Sequence, residues 1–276
     1  MSDSYFLRVD ETSSAGRYLG RYRATQHTAG PWAPHLQHGG PPNALAVAAA
    51  ERAVAGETGR TDLVALRLGA EFTGPVPVGP VETRARVVRA ARSAVLAEVT
   101  VSADGRDCLH CRVWFVRMFD TSVQSTPLNP AGDPLAAPAG LAASFPYGDS
   151  LEWRFVRGRM DRSGPAAAWV RPCVPLLPGH DLSGLARAAL IADSGNGISS
   201  VLDWSRWSFV NVDLDIHLAR PVEGDWLLLD AVTQVGAHGS ALARSTLSDL
   251  RGEVGAALQT LVVAPASQPA AARLSG

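Results

Sequence analysis

The sequence predicts an α+β fold in which one unit, a helix wrapped by an antiparallel sheet, occurs twice along the chain. Segments with alternating apolar residues recur at a constant spacing, and an Ala-rich apolar helix precedes each set of them. A stretch rich in Pro, Ala and Gly, without helical or strand periodicity, divides the chain. We therefore expect an N-terminal repeat at 1–118, a linker at 119–147 and a C-terminal repeat at 148–276.

Two strand-like segments carry the repeat most clearly. Apolar residues alternate with other residues from Leu63 to Val76 and again from Phe209 to Val222. The second segment lies 146 residues after the first, and both end in Pro-Val. Period-two alternation of this kind indicates antiparallel strands with one buried face.

A helix precedes each set of strands, at Pro42–Gly56 and at Leu182–Ser194. Strand-like pieces near "GRYLGRYRATQ" and "LEWRFVRGRM" open the two halves. Each repeat thus has the order strand, helix and about four antiparallel strands, which is the order of a hotdog fold. Two tandem repeats predict a double hotdog.

Composition excludes several classes of protein. The net charge is −1 and the basic residues, all Arg, are scattered, so there is no electrostatic footprint for nucleic acid. The longest apolar run is far too short to span a bilayer, and the first residues are too polar for a secretory signal. With three cysteines, an odd number, we expect reduced thiols and a cytoplasmic protein without membrane contact.

Several motifs resemble the double-hotdog acyl-CoA thioesterases of the bacterial thioesterase II type. A Gly-Gly loop, "HGGPPNAL", precedes the first helix, and "IADSGNG" places an acid at the end of the second. The next strand, "NVDLDIHLARP", is similar to the family's pattern, and a tryptophan follows it in "EGDWLLLDA". The final strand, "ALQTLVV", contains a glutamine. The resemblance rests on the order and spacing of these motifs and covers most of the chain outside the linker.

The resemblance implies hydrolysis of acyl-CoA to the free acid and CoA by a water that an Asp, a Thr and a Gln hold. The Asp corresponds to Asp193 and the Gln to Gln259, whereas Asn211 stands where the family has Thr. An amide can still donate to and accept from a water. These three are therefore the candidate catalytic residues. No cofactor is implied, and we expect a homo-oligomer, a dimer or higher.

The internal repeat gives an independent argument for one site. At the offset of 146 residues, Asn211 corresponds to Ala65, and Gln259 to Val113 or, with the turns aligned, to Arg112. The first helix also carries no acid in its first two turns. A set that the fold itself required would occur in both halves, so its single occurrence favours a functional site.

Each candidate also has a structural interpretation. Asp193 could satisfy backbone groups at a helix end, although the helix dipole disfavours an acid there, which favours a general base. Asn211 and Asp213 are expected to share a strand face, where Asn211 would orient water and Asp213 would support substrate binding; the alternative is a solvated face. A buried Gln259 needs hydrogen-bond partners, of which a bound water would be one.

His38, Gly39 and Gly40 are candidate substrate-binding residues. Glycines allow a close approach of the backbone, and N–H groups at a helix start favour the negative charge of a polarised thioester or a phosphate. The alternative is a plain tight turn.

Other chemistries find little support in the sequence. His27, His35 and His38 lack a nearby acid or Cys, and Cys108 and Cys111 should point to opposite faces of a strand, so we predict no metal site. A serine-hydrolase elbow and a P-loop are both absent. Two functional alternatives remain: a non-catalytic acyl-CoA or lipid-binding hotdog protein, and a hotdog enoyl-CoA hydratase or dehydratase. The hydratases usually combine Asp with His, and "IADSGNGIS" lacks the His.

Overall fold

The computed structural model describes residues 3–266, whose strands form one continuous antiparallel sheet around a pair of helices. The helices of the described chain are α1 (Gly40–Thr58), α2 (Pro146–Asp149), α3 (Gly184–Ala192) and α4 (Gly195–Ile198). Its strands in the N-terminal half are β1 (Phe6–Ser14), β2 (Arg17–Ala24), β3 (Leu63–Phe72), β4 (Pro80–Ala90), β5 (Ala94–Ala103) and β6 (Arg106–Arg117). Those in the C-terminal half are β7 (Leu151–Arg157), β8 (Ala166–Pro172), β9 (Trp207–Asn211), β10 (Asp213–Leu218), β11 (Leu227–Val235), β12 (Ser240–Asp249) and β13 (Gly252–Pro265).

The two halves of the sheet are related by a pseudo-two-fold axis. The strand order is β1-β2-β4-β5-β6-β3-β10-β13-β12-β11-β8-β7, so β3 and β10 join the halves at the centre. Gly69 pairs with Asp215 across this junction, and the two residues are 146 positions apart. The neighbouring pairs are reciprocal, Leu68 with Ile216 and Ala70 with Leu214, as in an isologous dimer. The predicted tandem hotdog architecture is confirmed.

The core lies between the inner face of the sheet and the two longer helices. All but one of the first eleven residues of α1 are buried, because this Ala-rich stretch has no charged residue and its small side chains let α3 pack closely against it. Gly59 ends α1 in the left-handed conformation, with φ of 58°. No helix of residues 3–266 is long and apolar enough to cross a membrane.

The observed elements extend and correct the predicted ones. Both predicted helices are present, with α1 longer and α3 shorter than expected. Sequence analysis did not identify β1 or β8. The first five residues of β8 are all buried, so this strand has none of the alternation that marks a half-exposed strand.

The segment at 119–147 contains no strand and only short helical turns. Its end belongs to the core, because Tyr147 in α2 is fully buried and its N–H donates to the carbonyl of Ala29. The segment therefore does more than connect the halves. The predicted boundaries at 118 and 147 stay predictions, and residues 267–276 lie outside the described part.

A register shift separates β9 from β10. Asn211 pairs with Leu261 and Asp215 with Leu258, so the alignment with β13 changes by one residue at Val212. A one-residue shift reverses the side to which the following side chains point. The prediction that Asn211 and Asp213 share a face is therefore wrong: Asn211 points towards the helices, and Asp213 lies on the outer face.

Candidate active site

A buried carboxylate occupies the junction between α3 and α4. Asp193 directly follows α3 and keeps helical dihedral angles, with φ of −60° and ψ of −18°. The next N–H, that of Ser194, donates back to the carbonyl of Ile191 and tightens the turn before α4 begins. The Asp193 side chain is only 3 % exposed, so it needs partners from the protein.

Three side chains from different elements contact this carboxylate. The amide of Asn211 donates to Oδ1 at 2.8 Å, and the amide of Gln259 lies 3.4 Å from the same oxygen. Nδ1 of His38 lies 2.9 Å from Oδ2. The structure thus brings the three predicted catalytic residues together and adds His38 to them.

Gln259 holds the helical junction as well as the carboxylate. Its Nε2 donates to the backbone carbonyl of Asp193 at 3.1 Å, and its Oε1 accepts the N–H of Asn196 at 3.2 Å. A Cβ at Gly195 would lie 3.1 Å from that oxygen, so the absence of a side chain permits the contact. Protein groups therefore satisfy Gln259, where a bound water was the expected partner.

His38 is fixed by an aromatic stack and by two contacts at one nitrogen. Its ring lies on that of Tyr147, with centroids 4.0 Å apart and planes at 11°. Nδ1 faces both Oδ2 of Asp193 and, at 3.1 Å, the N–H of Gly40. As it stands, Nδ1 accepts the N–H of Gly40; a proton placed on Nδ1 would instead join it to Oδ2 of Asp193 and leave that N–H without its acceptor. Nε2 has no hydrogen-bond partner within residues 3–266.

Tyr147 supports the histidine from behind. Its hydroxyl donates to the carbonyl of Leu190 at 2.6 Å and lies 3.2 Å from Oγ of Ser194. Burial raises the pKa of Tyr147 well above its ordinary value, so the phenol stays neutral. The linker therefore supplies one wall of the site.

The two glycines before α1 are required by close packing. A Cβ at Gly39 would lie 2.7 Å from Oδ2 of Asp193, and one at Gly40 would lie 2.1 Å from the carbonyl oxygen of Leu190. Pro41 and Pro42 follow and have no N–H. Because the N–H of Gly40 faces His38, the N–H of Gly39 is the helix-start donor without an acceptor in the described chain.

Asp213 does not join this group. Its carboxylate accepts hydrogen bonds from the N–H and the hydroxyl of Thr260 on the outer face of the sheet. Only its backbone carbonyl approaches the site, 3.4 Å from Nδ2 of Asn211. The structure gives its side chain a role in joining β10 to β13.

The repeat counterparts of the two amides are apolar. Gln259 pairs with Ala243, and at the offset of 146 residues Val113 pairs with Ala97. The counterpart of Gln259 is thus Val113, not Arg112. Asn211 pairs with Leu261, and 146 residues earlier Ala65 pairs with Phe115, so Ala65 is the counterpart of Asn211. Among residues 3–266, the set of one acid and two amides therefore occurs in the C-terminal half alone.

Sequence reasoning missed Tyr147, Ser194 and Asn196 as parts of the site. Ser194 and Asn196 flank the predicted acid, so proximity to Asp193 was an available signal. Tyr147 had none beyond an aromatic residue at the end of a Pro-rich segment. In the part of the chain that the structure describes, no three His, Cys, Asp or Glu side chains are grouped to hold a metal ion.

Comparison with protein families identifies the chain. Residues 28–116 match the acyl-CoA thioesterase N-terminal domain, and residues 125–263 match the acyl-CoA thioesterase C-terminal domain. The chain belongs to the acyl-CoA thioesterase family. Both matches together span most of the sequence and include every element around Asp193. A search of curated proteins finds no match.

Solved structures share the fold of this acyl-CoA thioesterase family member over nearly its whole length. An acyl-CoA thioesterase II from Mycobacterium marinum is 16 % identical with a TM-score of 0.68, and the alignment covers 94 % of this chain and 97 % of that one. A hotdog-fold protein of unknown function from Alicyclobacillus acidocaldarius is 18 % identical with a TM-score of 0.70, covering 93 % and 95 %. At these identities the likeness establishes the double-hotdog fold.

Proposed function

We propose that the protein hydrolyses acyl-CoA thioesters to the free acid and CoA through a water activated at the His38–Asp193 pair. The observation that carries this proposal is the contact of a buried carboxylate with an imidazole whose second nitrogen has no hydrogen-bond partner among residues 3–266. Membership of the thioesterase family supplies the substrate class.

The first step is the transfer of a proton from water to Nε2 of His38. For this step Nδ1 carries a proton that points to Asp193, the N–H of Gly40 is released from Nδ1, and the carboxylate stabilises the imidazolium that forms. Both oxygens of Asp193 already have protein partners, so the carboxylate acts through the histidine. Asn211 and Gln259 contact its other oxygen and hold the carboxylate in this orientation. Sequence analysis predicted Asp193 as the general base; the proposal instead assigns this role to His38 and Asp193 together.

The hydroxide formed in this way attacks the carbonyl carbon of the thioester. The electron pair of the C=O bond moves to oxygen, and we assign the stabilisation of that oxyanion to the N–H of Gly39, which has no acceptor among residues 3–266. Collapse of the intermediate breaks the C–S bond, and the thiolate of CoA takes the proton from Nε2 of His38. The products are the carboxylic acid and CoA, and the pair returns to its starting state.

A thiol-release assay tests the proposal. Purified protein is mixed with acetyl-, butyryl-, octanoyl- and palmitoyl-CoA, and free CoA is measured with a thiol reagent. The proposal expects catalytic release from at least one thioester. Saturable binding without release would instead indicate the acyl-CoA-binding alternative, and water addition to crotonyl-CoA the hydratase. Either result would overturn the proposal.

The assembly and location of the enzyme belong to the same proposal. A homo-oligomer, a dimer or higher, and a cytoplasmic role in fatty acid metabolism remain predictions. Light scattering on the purified protein measures the first, and a monomer at micromolar concentration would contradict it.

A further inference from the structure

A small pocket adjoins the proposed catalytic pair. The role that we assign to this pocket rests on the proposed function. Its lining includes His38, Ser194 and Asn196; His38 contacts Asp193, and Ser194 and Asn196 lie close to it along the chain. Its volume of about 30 Å³ is room for roughly two water molecules. An acyl group whose carbonyl carbon reaches His38 would place its chain here, and only a short chain fits.

The walls of this pocket are aromatic and rigid on one side. Trp32 stacks on Trp204 with centroids 4.8 Å apart and planes at 13°. The edges of both indoles meet the ring of Phe209, at 5.2 Å and 4.9 Å. Such packed aromatic groups resist displacement because moving one ring breaks contacts with two others.

Another part of the wall, which shares Trp204 with the aromatic group, is a partition in front of a second space. A groove of about 280 Å³ lies beyond it, along 142–144 and Asp161. Pro31, Phe145, Met160 and Trp204 line both spaces and so stand between them. Met160 is unbranched with several rotatable bonds, and its side chain is therefore the part of the partition that fills the gap most adaptably.

We propose that Met160 and Phe145 set the length of the acyl group and make this enzyme selective for short acyl-CoA thioesters, of about two to four carbons. A longer chain would have to displace the partition to reach the groove. Removal of the partition would join the pocket and the groove into one channel. The linker, which contributes Phe145, is then part of the specificity device.

The decisive experiment compares chain-length profiles. For the wild type we expect kcat/KM to fall at least about tenfold between butyryl- and octanoyl-CoA, since crowding by each added methylene costs on this scale. Met160→Ala should raise the ratio of kcat/KM for octanoyl-CoA to kcat/KM for butyryl-CoA about tenfold. Met118→Ala, at an exposed methionine outside the pocket, is the matched control and should leave the profile unchanged.

Several results would overturn this proposal. One is a wild type that hydrolyses octanoyl- or palmitoyl-CoA as well as butyryl-CoA. Another is an unchanged profile in Met160→Ala and in Phe145→Leu, a second variant that keeps an apolar side chain if the first folds poorly. Absence of thiol release from every substrate would overturn the proposed function instead. Binding of the same four thioesters, followed by the quenching of tryptophan fluorescence, would then still report the length preference, and tighter binding of octanoyl-CoA would contradict it.

Discussion

Nδ1 of His38 lies 2.9 Å from Oδ2 of Asp193, and this contact joins the two halves of the chain at one point. His38 precedes α1 in the N-terminal repeat, whereas Asp193 ends α3 in the C-terminal repeat. The pair is 12 % and 3 % exposed, so little water screens it. Neither repeat alone contains the arrangement.

Replacement of His38 by Asn separates catalysis from positioning. An Asn side chain keeps an N–H donor near the place of Nδ1 but has nothing at the place of Nε2. We expect kcat to fall about 100-fold or more, as far as in His38→Ala, because a general base is lost. Steady-state thiol release measures this, with circular dichroism as the control for folding. If His38→Asn stayed within a few-fold of wild type, the imidazole would be a positioning group only.

Replacement of Asn211 tests whether its hydrogen bond to Asp193 contributes to catalysis. Asn211→Leu removes the 2.8 Å donor to Oδ1 of Asp193, and we expect kcat to fall about 10- to 100-fold, as for the loss of a hydrogen bond to a charged group. Asn211→Thr restores a donor and should recover most of the rate. Asn129→Leu, in the exposed linker, is the control. Equal rates in the Leu and Thr variants would show that the donor is unimportant.

The arginine of the Arg-Pro motif after β10, Arg220, has a structural role because it neutralises a buried carboxylate. Its guanidinium donates two 2.6 Å hydrogen bonds to Asp249, which is fully buried. Arg220→Met leaves that charge unpaired and should cost about 3–5 kcal/mol in the free energy of unfolding, measured with urea at pH 7. Arg251→Met breaks an exposed pair with Glu223 and should cost less than about 1 kcal/mol. Similar losses in both variants would contradict this account.

Because of the same Arg220–Asp249 pair, we expect the stability of the protein to depend on pH in the acid range. Burial opposes ionisation of Asp249, but hydrogen bonds from Arg220 and two backbone N–H groups lower the pKa of the carboxyl below its ordinary value. Because the pKa is lower in the folded than in the unfolded state, the stabilisation is complete above the unfolded value and is lost as the pH falls through the folded one. The difference between wild type and Asp249→Asn should shrink as the pH is lowered from 7 towards 3.

For the carboxyl group of Glu51 we predict the opposite effect of pH on the stability of the protein. Burial raises the pKa of this carboxyl on α1 to about 7, and the Ser183 hydroxyl and Arg52 offset the effect only in part. A raised pKa in the folded state means that stability is lost as the pH rises from the unfolded value to about 7. Glu51→Gln should therefore stabilise the protein at pH 8.5 by up to about 3 kcal/mol and much less at pH 5. Glu57→Gln, near the exposed end of α1, is the control; an equal gain at both pH values would contradict the prediction.

The repeat could be predicted because the fold imposes the same alternation twice. An offset of 146 residues, read from two Pro-Val endings, reappears in the pairing of Gly69 with Asp215. The buried strand β8 escaped prediction because a strand covered on both faces has no alternation. Its Ala-rich sequence also contains a single β-branched residue, Val170, whereas most strands are richer in them.

The site was predictable in its acid and amides but not in its geometry. The register shift at Val212 reverses the faces of β9 and β10, and no glycine or proline in "NVDLD" marks it. Period-two reasoning therefore placed Asn211 beside Asp213. The contact of His38 with Asp193 depends on how α1 and α3 cross, which local sequence does not encode.

The central claim is that Asp193 and His38 together activate the hydrolytic water. The most direct measurement is kcat for Asp193→Asn with a short acyl-CoA, alongside wild type, in preparations with the same melting temperature. An Asn side chain has the size of Asp, and its oxygen can keep the contacts with Asn211 and Gln259. It carries no negative charge and so cannot stabilise an imidazolium at His38. The account predicts a fall of about 10²–10⁴-fold in kcat. Turnover within a few-fold of wild type would contradict it.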